Sequence, residues 1–553
     1  MSDDIRIAIA QINTSVGAIK TNIDKIWAAR TQAALVDADL VVFGELTVSG
    51  YPPEDLVLKP AFQQAVEDAV IELAQETADG GPAVLIGSPW RLDGALYNAA
   101  LLLDVGEIRA VRTKSHLPNY GVFDEKRVFA AGPLSGPILF RDVRLGVMIC
   151  EDMWSGDVAE CLDESGAEIL IVINGSPFET DKQDDRLNYA VARVTESRLP
   201  LIYVNLVGGQ DELVFDGGSF VLSADRNLCT KARAFEEELL ITEWRRVSDA
   251  WVCGRGPIKS ALEILDATYS SLVLGVRDYV DKNGFPGVLV GFSGGIDSAL
   301  TAAVAVDALG TERVHCVMMP SPYTSQKSLD DAAECSQLLG VKLESVDIGP
   351  AMAVFEQMLA PHFNDQIVDT TEENIQARTR GMILMALSNK FGYMVLSTGN
   401  KSEMSVGYAT LYGDMCGGYA ALKDVYKTTV FELCHLRNNK RPSGCLGPEG
   451  RVLPESIITK PPSAELKPNQ KDQDTLPPYN VLDMILYHMI EEDLAKDDIV
   501  AEGYDSAIVE RIWHMLDRAE YKRRQAPPGV KTTRRAFGRD RRYPITNGFR
   551  GDV

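Results

Sequence analysis

Two sets of residues in this chain have types and spacings that can do chemistry. The first is GFSGGIDS, from Gly291 to Ser298. The apolar run VLV, Val288 to Val290, precedes it and reads as a buried strand. The alanine-rich SALTAAVAVDAL reads as the helix that follows. A strand stops, two glycines turn the chain, and a helix begins. Helix N-termini present unpaired N–H groups and a partial positive charge, which suits an anion. Gly294 and Gly295 let the backbone approach that anion, and Ser293 and Ser298 add hydroxyl donors. Asp297 would repel a phosphate unless a cation lay between them, so an acid here implies Mg²⁺.

The second set is spread over the first half of the chain. Glu45 ends the apolar run LVVFGE, Lys114 lies in RTKSHLPNYGVFDEKRVF, and Cys150 ends LGVMIC. A cysteine at the end of a strand and the start of a helix is expected to gain thiolate character from the helix dipole and a nearby cation. Glu45 would take its proton as general base and later activate water. Lys114 would hold a developing oxyanion. Glu125, in FDEKR, is a further acid near the lysine. Sequence order does not bring these residues together; the fold has to.

The elements that must position them alternate. IRIAIAQ, DLVVFGE, AVLIGSP, LGVMIC, AEILIVIN and LPLIYVN read as strands, with amphipathic helices at NIDKIWAARTQAALV and AFQQAVEDAVIELAQETA. This predicts a helix-covered sheet over residues 1–245. Residues 246–271, with the loop-like CGRGPIKS, are expected to be a linker. From residue 272 to 553 the pattern restarts, with strands at VLV, VHCVMMP, KLESVDI and FGYMVLSTGN. That alternation predicts a doubly wound parallel sheet with ligands at the carboxyl ends of its strands. The segment from Val452 to Tyr479 holds six prolines and cannot form long regular elements. Two helices should follow it, and the terminal stretch turns basic, a solvated tail or a seat for a phosphorylated ligand.

Bulk properties exclude several classes. The 553 residues suffice for two to four domains, and 45% hydrophobic with 24% charged content is ordinary for a globular protein. A formal charge of −24 argues against a nucleic-acid or anionic-membrane surface as the main role. Nine cysteines without a CxxC pair argue against a disulfide framework and a zinc ribbon. MSDDIRIAIAQ has no basic n-region, and no run of about 18 apolar residues occurs. A reducing cytoplasmic location, with no membrane partner, is the expectation.

Resemblances sharpen this reading. SGGxDS is the signature of the ATP-pyrophosphatase loop and differs from the Walker pattern, which is absent from this sequence. Enzymes with that loop usually cleave ATP between the α and β phosphates and adenylate a substrate. GELTVSGYPPEDL, KSHLPNYGVFDEKRVF and CEDMW together resemble the nitrilase (carbon–nitrogen hydrolase) family. That resemblance implies a four-layer α-β-β-α sandwich and a Glu45-Lys114-Cys150 triad assisted by Glu125. With GFSGGIDSAL, ENIQARTRG, LSTGNKSE, VGYATLYGD, KDVYKT and PPSAEL, the whole chain resembles the glutamine-dependent NAD⁺ synthetase family.

The implied reaction converts deamido-NAD⁺, ATP, glutamine and water to NAD⁺, AMP, pyrophosphate and glutamate. The implied ATP contacts are Gly291, Phe292, Ser293, Gly294, Gly295, Ile296, Asp297 and Ser298, with Thr398 and Lys427. Asn374, Glu403 and Lys531 would meet deamido-NAD⁺, and Asp297 and Glu403 would face Mg²⁺. Tyr120, Ser176 and Lys182 would bind glutamine, and a homo-oligomer is implied. Two other classes compete: a tRNA-modifying ATP-pyrophosphatase, opposed by the acidic charge and missing CxxC, and a non-catalytic nucleotide-sensing scaffold, opposed by the intact triad and loop.

Overall fold

A computed structural model describes residues 4–549 except 181, 364–365 and 469, together with the backbone alone of residue 183. Its contacts divide the chain into two units, Met1–Leu262 and Glu263–Val553.

Among the described residues the first unit holds two large sheets and a two-stranded ribbon, Val207–Gln210 paired with Leu213–Asp216. In the seven-stranded sheet the order is Ala250–Cys253, Glu238–Val247, Asp4–Gln11, Leu40–Phe43, Ala83–Leu92, Ala95–Asp104 and Glu107–Thr113. In the six-stranded sheet it is Leu228–Lys231, Phe220–Leu222, Leu201–Asn205, Ile169–Asn174, Val143–Ile149 and Ile138–Phe140. Strand alternation sorts the side chains. Ile7 and Ile9 of one sheet share a core with Ile149, Ile171 and Ile173 of the other. Ala8 and Ala10 point the opposite way, toward Ile26 and Val70 of the helices Ile19–Ala34 and Pro60–Glu76. Leu170 and Val172 likewise meet Leu162 and Val194 of the helices Gly156–Glu164 and Lys182–Ser197. Four layers result, helix–sheet–sheet–helix. The central strands are covered on both faces, which is why ILIVIN is a continuous apolar run.

These are the four α-β-β-α layers that the nitrilase resemblance implies; the apolar pattern alone indicates a helix-covered sheet without showing that a second sheet backs it. The expected linker is corrected. Ala250–Cys253 pairs antiparallel with Glu238–Val247, so part of 246–271 is sheet, and a helix already begins at Ile264. Contacts place the boundary between Leu262 and Glu263.

The second unit is built on five parallel strands in the order Lys342–Ser345, Val314–Met318, Val288–Gly291, Met394–Ser397 and Tyr419–Ala420. Strand order reverses between Val288–Gly291 and Met394–Ser397. Their carboxyl-terminal loops, GFSGG and STGN, leave the sheet there, at the usual ligand position in such sheets. The helix Ile296–Leu309 is buried on all sides, which its small, apolar sequence allows. Among its described residues the proline-rich segment carries only the short helix Glu455–Thr459 and one 3-10 turn, Asp472–Asp474, before the helices Tyr479–Ile490 and Ser506–Arg518. The basic stretch is packed as far as Arg541, and residues 542–549 beyond it are mostly exposed. Arg523 and Arg541 are buried against Glu520, and Thr532 and Thr533 donate backbone N–H groups to Asp424.

Candidate active sites

In the first unit, strand ends deliver the three predicted residues to one buried place. Lys114 Nζ donates to Glu45 Oε1 at 2.7 Å and to Glu125 Oε1 at 2.9 Å. Glu45 also accepts from Asn98 Nδ2 at 2.7 Å and from the Gly175 N–H at 2.8 Å. Glu125 accepts from the Tyr51 hydroxyl at 3.0 Å. Glu45, Lys114, Glu125 and Cys150 are all buried. Cys150 directly follows its strand with φ +48°, a left-handed conformation unusual for a side-chain-bearing residue, which turns the chain sharply at the thiol. Asp152 holds the turn: it accepts from the N–H groups of Ile149, Ser115 and His116 at 2.8–3.0 Å. It thereby ties the cysteine loop to the lysine loop.

The electrostatics correct one expectation. Cys150 is not biased toward thiolate. Burial pushes its thiol well up, and the Glu45 carboxylate adds to this more than Lys114 offsets it. The helix dipole gives no rescue, because Cys150–Met153 is a 3-10 turn and the helix proper begins at Gly156. The resting group is a protonated thiol beside a carboxylate, so its attack requires a base. Burial also works against the Lys114 charge, yet Glu125 and Glu45 hold its ammonium well above the usual range. Glu125 is pushed up to about 7 by burial, with Lys114 opposing and Glu45 reinforcing.

The glutamine-site candidates divide. Tyr120 is 55% exposed and lines a cleft of ≈ 780 Å³ with His116, Glu151 and Trp154. Its hydroxyl donates to Glu151 Oε2 at 2.9 Å. Phe123 joins it to Lys182: the Tyr120 ring meets Phe123 edge-on at 5.7 Å, and the Lys182 ammonium lies 5.5 Å from the Phe123 centroid. Ser176 is buried, and its Oγ accepts from Arg186 Nε at 3.0 Å.

In the second unit, Gly291 ends its strand and Phe292 is buried beneath the turn. Gly294 has φ +74°, and a Cβ there would stand 2.3 Å from the Ser328 carbonyl oxygen. Gly295 precedes the helix that starts at Ile296. Ser293 and Ser298 hydroxyls lie 3.1 Å apart, and the Gly295 N–H donates to Ser293 Oγ at 3.2 Å. Asp297 and Glu403 do converge, but Lys427 stands between them: its ammonium pairs with Asp297 and lies 3.2 Å from Glu403 Oε1. Asn400 donates to Asp297 at 2.8 Å and caps the helix Lys401–Val406 that carries Glu403. Burial pushes Glu403 up to about 8, with Lys427 opposing and Asp297 reinforcing.

Lys427 therefore meets carboxylates here, where a phosphate contact was expected. Among the described residues no cluster of three His, Cys, Asp or Glu is arranged to hold a metal ion. The donor chemistry still fits Mg²⁺, which takes one or two carboxylates and completes its shell with phosphate oxygens and water. Two acids that share one ammonium are close enough to share such a cation.

The remaining positions are more scattered. Thr398 is half-buried just past its strand. Asn374 Oδ1 accepts from Thr410 Oγ1 at 2.9 Å. Lys531 is buried, and its ammonium binds the carbonyls of Thr533 and Arg534 and the Asp540 carboxylate. It braces the terminal segment and is not an open seat for a ligand.

Comparison with known proteins follows the same division. The carbon-nitrogen hydrolase family matches residues 6–248, and the NAD synthase family matches residues 268–526. The glutamine-dependent NAD(+) synthetase of Rhodobacter capsulatus is 49% identical over 550 residues, 100% of each chain. The chain belongs to the glutamine-dependent NAD(+) synthetase family. The Acinetobacter baylyi relative of that name is 45% identical over 555 residues, with 99% of each chain covered. The solved Acinetobacter baumannii glutamine-dependent NAD+ synthetase, in complex with ADP, is 45% identical, with a TM-score of 0.79 and 99% of each chain covered.

Several residues that shape this synthetase's sites carry no signal in sequence. Asn98, inside the strand Ala95–Asp104, and Gly175, just past Ile169–Asn174, reach Glu45 from far along the chain, and Asp152 works through backbone N–H groups. Asn400 was within reach of sequence reasoning: an Asn three residues before Glu403 is a helix-capping pattern. Glu151 is open to suspicion from its place next to Cys150.

Proposed function

We propose that this chain makes NAD⁺ from deamido-NAD⁺, drawing nitrogen from glutamine in the first unit and adenylating the acceptor in the second. The observation that carries the reading is one chain holding both a buried Glu45–Lys114 pair beside Cys150 and a glycine-turned anion loop beside two converging acids.

In the first unit, Glu45 accepts the Cys150 proton as sulfur attacks the glutamine side-chain amide carbon. Lys114 donates to the oxyanion, a role that its retained charge suits. The C–N bond breaks, Glu45 returns the proton to the departing nitrogen, and ammonia leaves a thioester. Glu45 then deprotonates water, which attacks the thioester to release glutamate and the thiol. Tyr120, Ser176 and Lys182 bind the amino-acid portion of glutamine.

In the second unit, Gly291–Ser298, Thr398 and Lys427 bind ATP, and Asn374, Glu403 and Lys531 serve deamido-NAD⁺, Lys531 by bracing the terminal segment. The nicotinate carboxylate attacks the α phosphorus, pyrophosphate leaves, and ammonia displaces AMP to form the amide. Mg²⁺, held by Asp297 and Glu403 together with ATP, would supply positive charge beside the phosphates. Lys427 keeps the two acids apart from one another's repulsion until the nucleotide complex arrives. A homo-oligomer in a reducing cytoplasm is part of this reading, and the nine free thiols support the location.

The test mixes the protein with ATP, Mg²⁺ and deamido-NAD⁺ plus either glutamine or an ammonium salt, and measures NAD⁺, AMP and pyrophosphate. Both donors should yield all three products. Cys150→Ala should lose glutamine use and keep ammonium use. No NAD⁺ from either donor rejects the reading, and equal loss of both in Cys150→Ala rejects the division between units.

A further inference from the structure

Arg186 is 4% exposed, on the first turns of the helix Lys182–Ser197. All three guanidinium nitrogens are engaged. Nε donates to Ser176 Oγ at 3.0 Å, and Nη2 donates to the carbonyls of Ser176 at 2.9 Å and Pro177 at 2.7 Å. Nη1 donates to both oxygens of Asp216, at 2.7 and 3.0 Å. Asn205 grips the same segment, accepting from the Ser176 N–H at 3.0 Å and donating to the Ser176 carbonyl at 3.1 Å. One residue earlier, the Gly175 N–H donates to Glu45 Oε2 at 2.8 Å. Gly175 has no room for a side chain: a Cβ there would lie 2.9 Å from the Tyr51 ring.

A buried guanidinium is costly to desolvate, and an ion pair of this kind is weak support for stability by itself. A buried apolar pair could fill the same volume. What an apolar pair could not do is fork onto two successive carbonyls and a hydroxyl. Lysine presents a point charge and lacks that planar fork.

We propose that Arg186 is a positioning residue for the amidohydrolase step. It locks Gly175–Pro177 so that the Gly175 N–H aims the Glu45 carboxylate at the thiol and Ser176 keeps its place in the glutamine pocket. The proposal rests on the two-unit reading above. Arg186 touches neither the sulfur nor the amide, so its effect runs through Glu45 and Ser176. Misplacement of a reacting group by about 1 Å costs on the order of 100-fold in rate.

The test uses the full chain with Arg186→Lys and Arg186→Met, with the buried pair replaced together in Arg186→Met/Asp216→Leu as the variant most able to keep its fold. Steady-state rates are measured with glutamine and with ammonium, and thermal unfolding is followed in parallel. The expected result is a fall in kcat with glutamine of about 100-fold for Arg186→Met and a smaller fall for Arg186→Lys. KM for glutamine should rise, and ammonium-supported synthesis should stay at the wild-type rate. The partial recovery in Arg186→Lys is read at an unfolding midpoint matched to wild type. Wild-type glutamine kinetics in any folded Arg186 variant overturns the proposal. So does an equal fall with both nitrogen donors. Failure of the wild-type chain itself to use glutamine would instead reject the underlying reading.

Discussion

Gly294→Ala isolates the anion loop from everything else in the chain. Gly294 has φ +74°, and left-handed backbone costs a side-chain-bearing residue about 1–2 kcal/mol. The new Cβ would also sit 2.3 Å from the Ser328 carbonyl oxygen, a backbone atom that cannot swing aside. Relieving such overpacking costs about 1–3 kcal/mol. The total, about 2–5 kcal/mol, is met by moving the loop away from its anion-binding geometry. At 1.4 kcal/mol per factor of ten, that is a loss of roughly 30-fold or more in kcat/KM for ATP. Gly340→Ala supplies the control. Gly340 has φ +71°, but its Cβ would make ordinary contact, 3.5 Å from the Thr311 methyl. It pays only the conformational cost, at the end of the helix Gln326–Leu339, away from the chemistry. The assay is NAD⁺ formation at saturating ammonium with varied ATP, which bypasses the glutamine step, beside thermal unfolding of both variants. Matching ATP kinetics in Gly294→Ala and Gly340→Ala would refute the reasoning.

Further outcomes follow from other contacts. Glu125 is raised from its ordinary 4.5 to about 7, so between those values the folded chain holds a proton that the unfolded chain releases. Its contribution is present below 4.5 and lost as pH rises through about 7; Glu125→Gln should flatten the thermal midpoint across pH 5 to 7, and an unchanged slope would count against the assignment. Asn400→Ala removes a helix cap worth about 1 kcal/mol and the Asp297 partner, so KM for Mg-ATP should rise with either nitrogen donor. Glu465 accepts from the hydroxyls of Ser325 and Ser328 at 2.8 Å, anchoring the proline-rich segment beside the anion loop. Glu465→Ala should speed limited proteolysis within residues 461–471, and equal rates would show the anchor to be unimportant.

Much of this architecture was legible beforehand. The strands that lead into Glu45 and Cys150 and the one that ends at Gly291 are apolar runs whose length and period are local properties. The turn at GFSGGIDS follows from glycine chemistry and a helix-forming sequence after it. The pairing of Glu238–Val247 with Asp4–Gln11 is invisible in the sequence, because antiparallel pairing across more than 200 residues leaves no trace in either segment alone. Among site residues, those at strand ends stood out by type. Arg186 looked like any helix arginine, and Lys427 and Lys531 like any lysines that might face a phosphate.

Sequence by itself settled which residue types stand where strands end, hence which chemistries are available: a thiol with a carboxylate and an ammonium, and a phosphate-shaped turn with an acid. Tertiary structure alone decided the protonation and the partners. Cys150 reads as a potential thiolate until it is buried against Glu45, and nothing in the string around Lys427 shows that Asp297 and Glu403 flank its ammonium. The physical reason is that dielectric environment and charge–charge distance are set by segments far apart in the chain, so no local pattern can encode them.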